Sequence, residues 1–559
     1  MKKYAAMLSA CVLAAGGAAS MLPEMSLVCS AANPLSFDEE SGVLTITGEL
    51  HNELFNDELG EFENPERVKA IVAAEGAVLP ESCGSLFSDF PNLETIDLTK
   101  ADSSHVTSMA EMFRDCRELV SVDISGLDTS NMTNMKSMFA FCYKLTDINL
   151  KNFDTSHVTN MCAVFDNCSS LTSLDVSGFN TSNVISMADM FRSCTALTNL
   201  DLRNFDTSKV QYFKSMFRNC EKLTSVDISS FDTSSATNLG AMFNECEKLE
   251  TVDVSRFDTS NVTDMGYLFN GCYALKEVDV SGFDTSKVEN FCGMFYQCLE
   301  LENADVSGFD TSNATNFQGM FAWCKKLKAL DVSGWDTSAA EDMSYLFKEC
   351  EALPAVDLTG WDTSNVTTMS NMFYGAITLN ELDLSSFDTS KVTNVTNMLR
   401  YCIALKTVYV SDRWILTEEA AKNDSAMFKG SEKLVGGNGT AYTIQYYDSE
   451  YACLDTEETP GYFTYKDAPA PQTKVVTGDL TGEEKVGAED AQMALQAYVN
   501  TLAGKPSGLT DAQKAAADVT KDGKVDAVDA QIILQYYVNG LAGKVIPWET
   551  LVRNSQTQE

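Results

Sequence analysis

Phe165-Asp166-Asn167-Cys168-Ser169-Ser170-Leu171-Thr172-Ser173-Leu174-Asp175-Val176-Ser177-Gly178-Phe179 is one unit of a pattern that decides the fold of this chain. Phenylalanine followed three residues later by cysteine recurs at Phe113/Cys116, Phe139/Cys142, Phe165/Cys168 and onward to Phe347/Cys350, always in steps of 26 residues. The register runs back to Phe87, with Phe90 in the cysteine slot, and forward through Phe373, with Ala376 in that slot, to Leu399/Cys402. Thirteen coils without an insertion mean a stacked array, because one such unit can bury its apolar face only against its neighbours. Leu174 and Val176 alternate with polar residues, as on a short strand with one face inward. An Asp-Thr-Ser turn follows in nearly every coil, as at Asp128-Thr129-Ser130 and Asp206-Thr207-Ser208, and its side chains can accept the free amides of a helix start. Met132, Met135, Met138 and Phe139 are spaced to share one helix face. The expected fold is therefore an α/β solenoid of 26-residue strand-helix coils, a curved rod roughly 60 Å long at ~4.8 Å per coil.

The repeat accounts for the composition. Eleven of the 17 cysteines occupy one ladder position, and most of the 23 methionines fall on the expected helix face. A metal wants convergent ligands at short local spacing, whereas this ladder offers one thiol per coil, so buried free thiols are expected. Parallel Cβ vectors also make bridges between stacked cysteines awkward. Two aspartate ladders run along the array, one from Asp97 and Asp123 to Asp383, the other at the Asp-Thr-Ser turns; backbone capping is their expected role. Trp335 and Trp361 share the register of Phe153, Phe179 and Phe205 and are expected in the core, whereas Trp323 occurs once and is the better surface candidate. Of three histidines, His105 and His157 fill the coil slot of Asn131 and form no catalytic dyad, and His51 has no visible partner. A formal charge of −40 argues against nucleic acid and anionic lipid as partners. Lys2, Lys3 and the apolar run Tyr4–Ala19, with a small-residue site at Cys29-Ser30-Ala31, read as a secretory signal; a lipidated Cys11 is the rival. No later stretch is apolar enough to span a bilayer.

The recurring Met-Phe-x-x-Cys-x-x-Leu-x-x-Leu-Asp-Val-Ser-Gly-Phe-Asp-Thr-Ser-x-Val-Thr-x-Met pattern, over residues ~80 to 410, resembles the BspA-like leucine-rich-repeat surface proteins. Residues Ser41 to Gly48 resemble the strand that opens such arrays. Met427 to Lys466, with Gly436-Gly437-Asn438-Gly439-Thr440 and Pro460-Gly461-Tyr462-Phe463, resembles the closing cap. The resemblance implies adhesion or protein binding at a bacterial surface and brings no catalytic residues.

Beyond an Asp/Pro/Ala linker, a segment repeats at an offset of 39 residues: Asp479 to Asp490 aligns with Asp518 to Asp529, and each leads into Asp-Ala-Gln and an apolar helix. Oxygen ligands at loop positions 1, 3, 5, 7, 9 and 12 are what calcium needs. In the second loop these are Asp518, Thr520, Asp522, the Lys524 carbonyl, Asp526 and Asp529. The first offers Asp479, Thr481, Glu483, the Lys485 carbonyl and Asp490, with only Gly487 at position 9 and Glu484 where a turn glycine is expected, so weaker binding is predicted there. The duplicated loop-helix pair resembles the type I dockerin of cellulosomal proteins, differing from a full EF-hand in its Asp at position 12 and in having no helix before the loop. That resemblance implies docking onto the cohesin domain of a scaffoldin. Its recognition positions would be Ala488, Glu489, Leu495 and Gln496 in one copy and Ala527, Val528, Leu534 and Gln535 in the other. The symmetry would allow two flipped binding modes, although Glu489 against Val528 breaks it.

The expected organisation is a signal peptide (1–31), an N-terminal cap (32–85), the leucine-rich-repeat array (86–410), a C-terminal cap (411–466), a linker (467–474) and a small all-α calcium-binding dockerin (475–548). The expected function is that of a secreted, non-catalytic, monomeric binding protein. Its array would take a protein or polysaccharide ligand, and its tail would bind cohesin on a cellulosome-type scaffold. A cellulosome component acting directly in polysaccharide degradation and a host-directed adhesin are the alternatives.

Overall fold

The computed structural model describes residues 34–50, 65–150, 152–423, 426–467, 476–481, 485–509, 511–544 and 546–556. The expected signal peptide with Cys11 and Cys29, His51, most of the linker, and Glu483 and Glu484 lie outside these residues.

The array opens on a hairpin. β1 (Leu35–Asp38) pairs antiparallel with β2 (Val43–Ile46), the strand expected within Ser41 to Gly48, and every later pairing in this sheet is parallel. β3 (Ala70–Ala73), β4 (Thr95–Asp97), β5 (Ser121–Asp123) and β6 (Asp147–Asn149) follow in order, with Leu44, Ile71, Ile96, Val122 and Ile148 in one register file. Single bridges such as Asp201↔Asp227 and Glu277↔Asn303 continue the face. β7 (Glu381–Asp383), β8 (Thr407–Val410) and β9 (Phe463–Tyr465) close the far end as a parallel sheet. Between β8 and β9 lie a short helix, α1 (Glu418–Asn423), and the Gly436–Thr440 loop, whose Asn438 and Thr440 amides are held by Asp455 at 2.8 and 2.9 Å.

The leucine-rich-repeat array stands, but the helix expected in each coil does not form. Residues 136–141 are successive turns. Their amides alternate between two destinations. Those of Ser137, Phe139 and Phe141 donate to Cys162, Val164 and Asp166 carbonyls in the next coil at 2.8, 2.9 and 2.7 Å, while Met138, Ala140 and Cys142 close local turns onto carbonyls three residues back. An α-helix needs each amide for its own i−4 carbonyl; a segment that gives every second amide to its neighbour cannot be helical. Met132, Met135, Met138 and Phe139 are nevertheless buried, so their spacing marked the core face correctly.

This conformation puts two residues per coil at positive φ, here Ser137 (53°) and Phe141 (64°), and the same two slots are positive from Ser85 and Asp89 through Asn397 and Tyr401. Glycine fills them only at Gly271, Gly293, Gly319 and Gly375, and none holds Val, Ile, Thr or Pro. A side chain there crowds the backbone by ~1–2 kcal/mol, and a branched Cβ is worse. Ala241 (φ 56°) is a clean test site. Ala241→Gly is expected to raise stability by up to about 1 kcal/mol and Ala241→Val to lower it by more than that, read by urea denaturation.

Every part of the Asp-Thr-Ser turn has a use. Asp206 Oδ1 accepts the Ser208 amide at 3.1 Å and hydroxyl at 2.7 Å, so the carboxylate caps a turn rather than a helix. Asp227, on the other ladder, does the same for Ser229. The serine hydroxyls hold both carboxyls below the usual carboxylate range. Thr207, fully buried, donates to the Asp232 carbonyl and accepts from its amide, both at 2.8 Å, clasping one coil to the next. Thr207→Val keeps the shape but leaves two buried backbone groups unpaired; a loss of about 1–3 kcal/mol in urea unfolding is expected.

The core runs as continuous files. Twelve phenylalanine rings from Phe87 to Phe373 stack with centroids 5.3 to 6.1 Å apart. The ladder thiols are buried and free, each reaching a phenylalanine carbonyl 29 residues earlier, as Cys116 does at 3.0 Å and Cys402 at 3.1 Å. Burial pushes the thiols of Cys116 and Cys402 up to about 12. Cys83, Cys162, Cys292 and Cys453, off the ladder, are also free. Alkylation of the native protein at pH 8 is expected to modify the partly exposed Cys162 and Cys453 and to spare the ladder until the array unfolds. Trp335 and Trp361 are buried, stacked at 6.0 Å, and donate to the Val306 and Val332 carbonyls.

The tail folds around its own small core. α2 (Ala488–Leu502) packs on α4 (Ala527–Leu541), with α3 (Asp511–Ala517) and α5 (Trp548–Gln556) beside α4. Leu480, Ala494, Ile533 and Leu551 are buried together. Contrary to expectation, a helix does precede the second loop: α3, with its Ala515-Ala516-Ala517 run, leads straight into Asp518.

Candidate functional site

The two loops of the tail are built alike. In the second, the Asp529 carboxylate is fully buried; Oδ1 accepts the Thr520 amide at 3.0 Å and Oδ2 the Asp526 amide at 2.9 Å. Asp518 accepts the amides of Asp522 and Gly523 at 3.1 and 2.8 Å, Asp522 that of Lys524 at 2.9 Å, and Asp526 caps α4 through the Val528 amide at 2.7 Å. In the first, buried Asp490 takes the amides of Leu480, Thr481 and Gly487 at 2.8, 2.8 and 2.6 Å. Thr481 and Thr520 donate to Asp479 and Asp518 at 3.2 and 3.4 Å. The matching bonds of Asp490 and Asp529 tie each loop to the first turn of its helix.

The second loop's donors fit calcium: four carboxylates, a hydroxyl and a carbonyl are all hard oxygens within twelve residues, and Gly523 at position 6 has φ 81°. Burial raises Asp529 and the neighbouring Asp526 charge adds to the rise, against which stand only the Asp526 and Thr520 amides and the Thr520 hydroxyl, so a cation is the natural missing charge. Among the described residues no three acidic, imidazole or thiol groups already converge as a metal site, because the loop carboxylates are turned onto amides.

On the outer faces of α2 and α4, Glu489, Leu495 and Gln496 are exposed, as are Ala488, Ala527, Leu534 and Gln535, while Val528 is half-buried against the tail core. Sequence reasoning missed four companions. Val499 and Leu502 extend Leu495 along α2, and Val538 and Leu541 extend Leu534 along α4, giving two apolar stripes at i, i+4 and i+7 that are 46% to 72% exposed. The 39-residue offset relates all three pairs, but only the structure shows them exposed. In the array, His105 and His157 are exposed beside Ser104 and Ser156, and His105 lies within electrostatic reach of Asp102.

Comparison with known proteins agrees with this division. The family described as "Mycoplasma protein of unknown function, DUF285" matches residues 81–172, 140–252, 214–330 and 317–438, and the "Dockerin type I domain" matches residues 477–537. No curated protein matches the chain. Similar solved structures include a leucine-rich repeat protein from T. pallidum, at 16% identity over 44% of this chain and 87% of that one, TM-score 0.22. A leucine-rich repeat protein from Eubacterium ventriosum follows at 14% over 71% and 92%, TM-score 0.26. A leucine rich cell surface protein from Faecalibacterium prausnitzii stands at 13% over 67% and 92%, TM-score 0.25. Type I dockerins bind calcium and imply a cohesin partner. With its array covered almost end to end, the chain belongs to the DUF285 family, the BspA-like leucine-rich-repeat proteins, and carries a type I dockerin domain at its C-terminal end.

Proposed function

We propose that this protein is a secreted, non-catalytic, monomeric adaptor, docked by its calcium-loaded tail onto the cohesin of a scaffold while its array holds a ligand. The single observation carrying this reading is the duplicated loop-helix pair, with buried Asp490 and Asp529 at equivalent positions. Calcium bound there supplies the positive charge that the loop carboxylates lack. Asp518, Thr520, Asp522, Lys524, Asp526 and Asp529 hold one ion. Asp479, Thr481, Glu483, Lys485 and Asp490 hold a second more weakly, because Gly487 offers no side-chain ligand where Asp526 stands. Cohesin then meets Ala488, Glu489, Leu495 and Gln496, or Ala527, Val528, Leu534 and Gln535, with the exposed stripes of Val499, Leu502, Val538 and Leu541 supplying apolar area. Among the described residues no helix is long and apolar enough to cross a membrane, so attachment through the tail is the proposed means of retention.

Calorimetry of the full chain with calcium tests this reading. Two uptake events, of which Asp522→Ala removes the tighter, support it; no uptake contradicts it.

A further inference from the structure

One stretch of the turn face differs from the rest of the array. Tyr267, Gly293, Gly319 and Tyr345 occupy the same left-handed slot in four successive coils, so two coils without a side chain there lie between two tyrosines. The glycines make room for rings: a Cβ at Gly293 would lie 2.7 Å from Cδ1 and Cε1 of Tyr267, and one at Gly319 would lie 3.2 Å from Cδ2 of Tyr296. Together with Cys292, Gln318 and Tyr345 these residues line an open groove of about 340 Å³. None of the lining residues is charged, on a chain whose formal charge is −40.

The walls are held in place. Tyr296 meets Trp323 edge-on at 5.1 Å, and the Lys348 ammonium sits 4.5, 5.2 and 4.8 Å from the ring centres of Trp323, Tyr345 and Tyr374. Such a shared cation fixes three rings at once. Along the floor the Cys292 thiol reaches the Tyr267 hydroxyl at 3.0 Å and Gln318 Oε1 at 3.4 Å, and Gln318 Nε2 donates to Ser344 at 3.3 Å. The backbone offers no free edge: the Gly293 and Gly319 amides donate to the Gln318 and Ser344 carbonyls of the next coils, both at 2.8 Å.

We propose that this groove binds a neutral oligosaccharide lying across the coils, its pyranose faces on the tyrosine rings and its hydroxyls bonded to the Gln318 amide and the phenols. A sugar ring pairs an apolar C–H face with polar edges, as the fixed rings and the amide require. The uncharged lining favours a neutral polymer over an acidic or basic one, since no lining side chain offers a counter-charge. An extended peptide adding as a strand would need the backbone groups already engaged between coils. The coil step of ~4.8 Å is comparable with one pyranose unit, so successive sugars can meet successive coils. Because the rings are already ordered, little freedom is lost on binding.

The inference rests on reading the array as the ligand-holding module, and its test leaves the tail untouched. Calorimetric titration of the full chain with cellohexaose, xylohexaose and mannohexaose, and with a hexagalacturonate as the charged comparison, is expected to give binding of at least one neutral probe. Tyr345→Ala should weaken it about tenfold, as lost ring contact implies. Gln318→Ala should weaken it as well, and this partly exposed site keeps the test open if the tyrosine variant fails to fold. No neutral probe binding at millimolar concentration, binding of the hexagalacturonate alone, or unaltered affinity in a folded variant of either site would overturn the proposal. Calcium uptake by the tail would stand in any of these cases.

Discussion

Asp529→Ala is expected to abolish the tight calcium uptake of the tail and to unfold α4 from its N-terminal end. Its fully buried carboxylate accepts two amide hydrogen bonds, from Thr520 and Asp526. Hydrogen bonds to a charged group contribute ~1.5–3 kcal/mol each, so roughly 3 kcal/mol or more is lost before calcium is considered. Asp529→Asn separates the two roles in part: the amide oxygen keeps one of the two bonds while the NH2 faces the other N–H and the charge needed for calcium is gone, so calcium affinity should fall sharply while the apo fold loses one bond rather than two. Asp490→Ala should unfold the first loop similarly, through three lost amide bonds, yet leave the tighter calcium event of the second loop measurable. Far-UV circular dichroism of the full chain reads these effects well, because among the described residues every α-helix except the six-residue α1 lies in the tail. An Asp529→Ala protein that takes up calcium as tightly as the wild type would remove this residue from the site.

In the array the largest single loss is expected from Phe217→Ala. Its ring is fully buried between Phe191 at 5.8 Å and Phe243 at 5.5 Å. Deleting a buried phenylalanine side chain costs about 3–5 kcal/mol, including the cavity left behind. Each coil contacts only its neighbours, so the damage does not average over the rod but weakens two interfaces and can split one unfolding transition into two. The Phe217→Ala/Phe243→Ala double variant should lose less than the sum of its singles, because their shared contact can be lost only once. Urea unfolding followed by tyrosine and tryptophan fluorescence reads all three. An additive double variant would mean the rings are packed independently.

The array was legible because its period is exact in number and its apolar positions all point inward: the Phe and Cys files, Leu174/Val176 and the core place of Trp335 and Trp361 follow from register alone. The conformation between Asn134 and Cys142 was not, since Met132, Met135, Met138 and Phe139 satisfy a helix and a chain of turns equally well. What separates the two is where alternate amides go, and that depends on the neighbouring coil. One signal was available: across every coil the slots of Ser137 and Phe141 avoid branched residues, as left-handed backbone demands. The Tyr267–Tyr345 groove needed the structure, because only the fold shows Gly293 and Gly319 to be the floor on which neighbouring rings lie. In the tail the paired loops and helices, and one exposed apolar residue on each helix, Leu495 and Leu534, were readable from the duplication. Val499, Leu502, Val538 and Leu541 read as core on an apolar helix until their exposure is seen.

Capture of the full chain on a panel of immobilised cohesin domains, in calcium and in chelator, tests the central claim most directly. Retention by at least one cohesin in calcium, its release by chelator, and its weakening when Leu495 and Leu534 are both changed to Asp are the predicted results. No retention by any cohesin, or retention indifferent to calcium, would contradict the account of this protein as a scaffold-docked binding module.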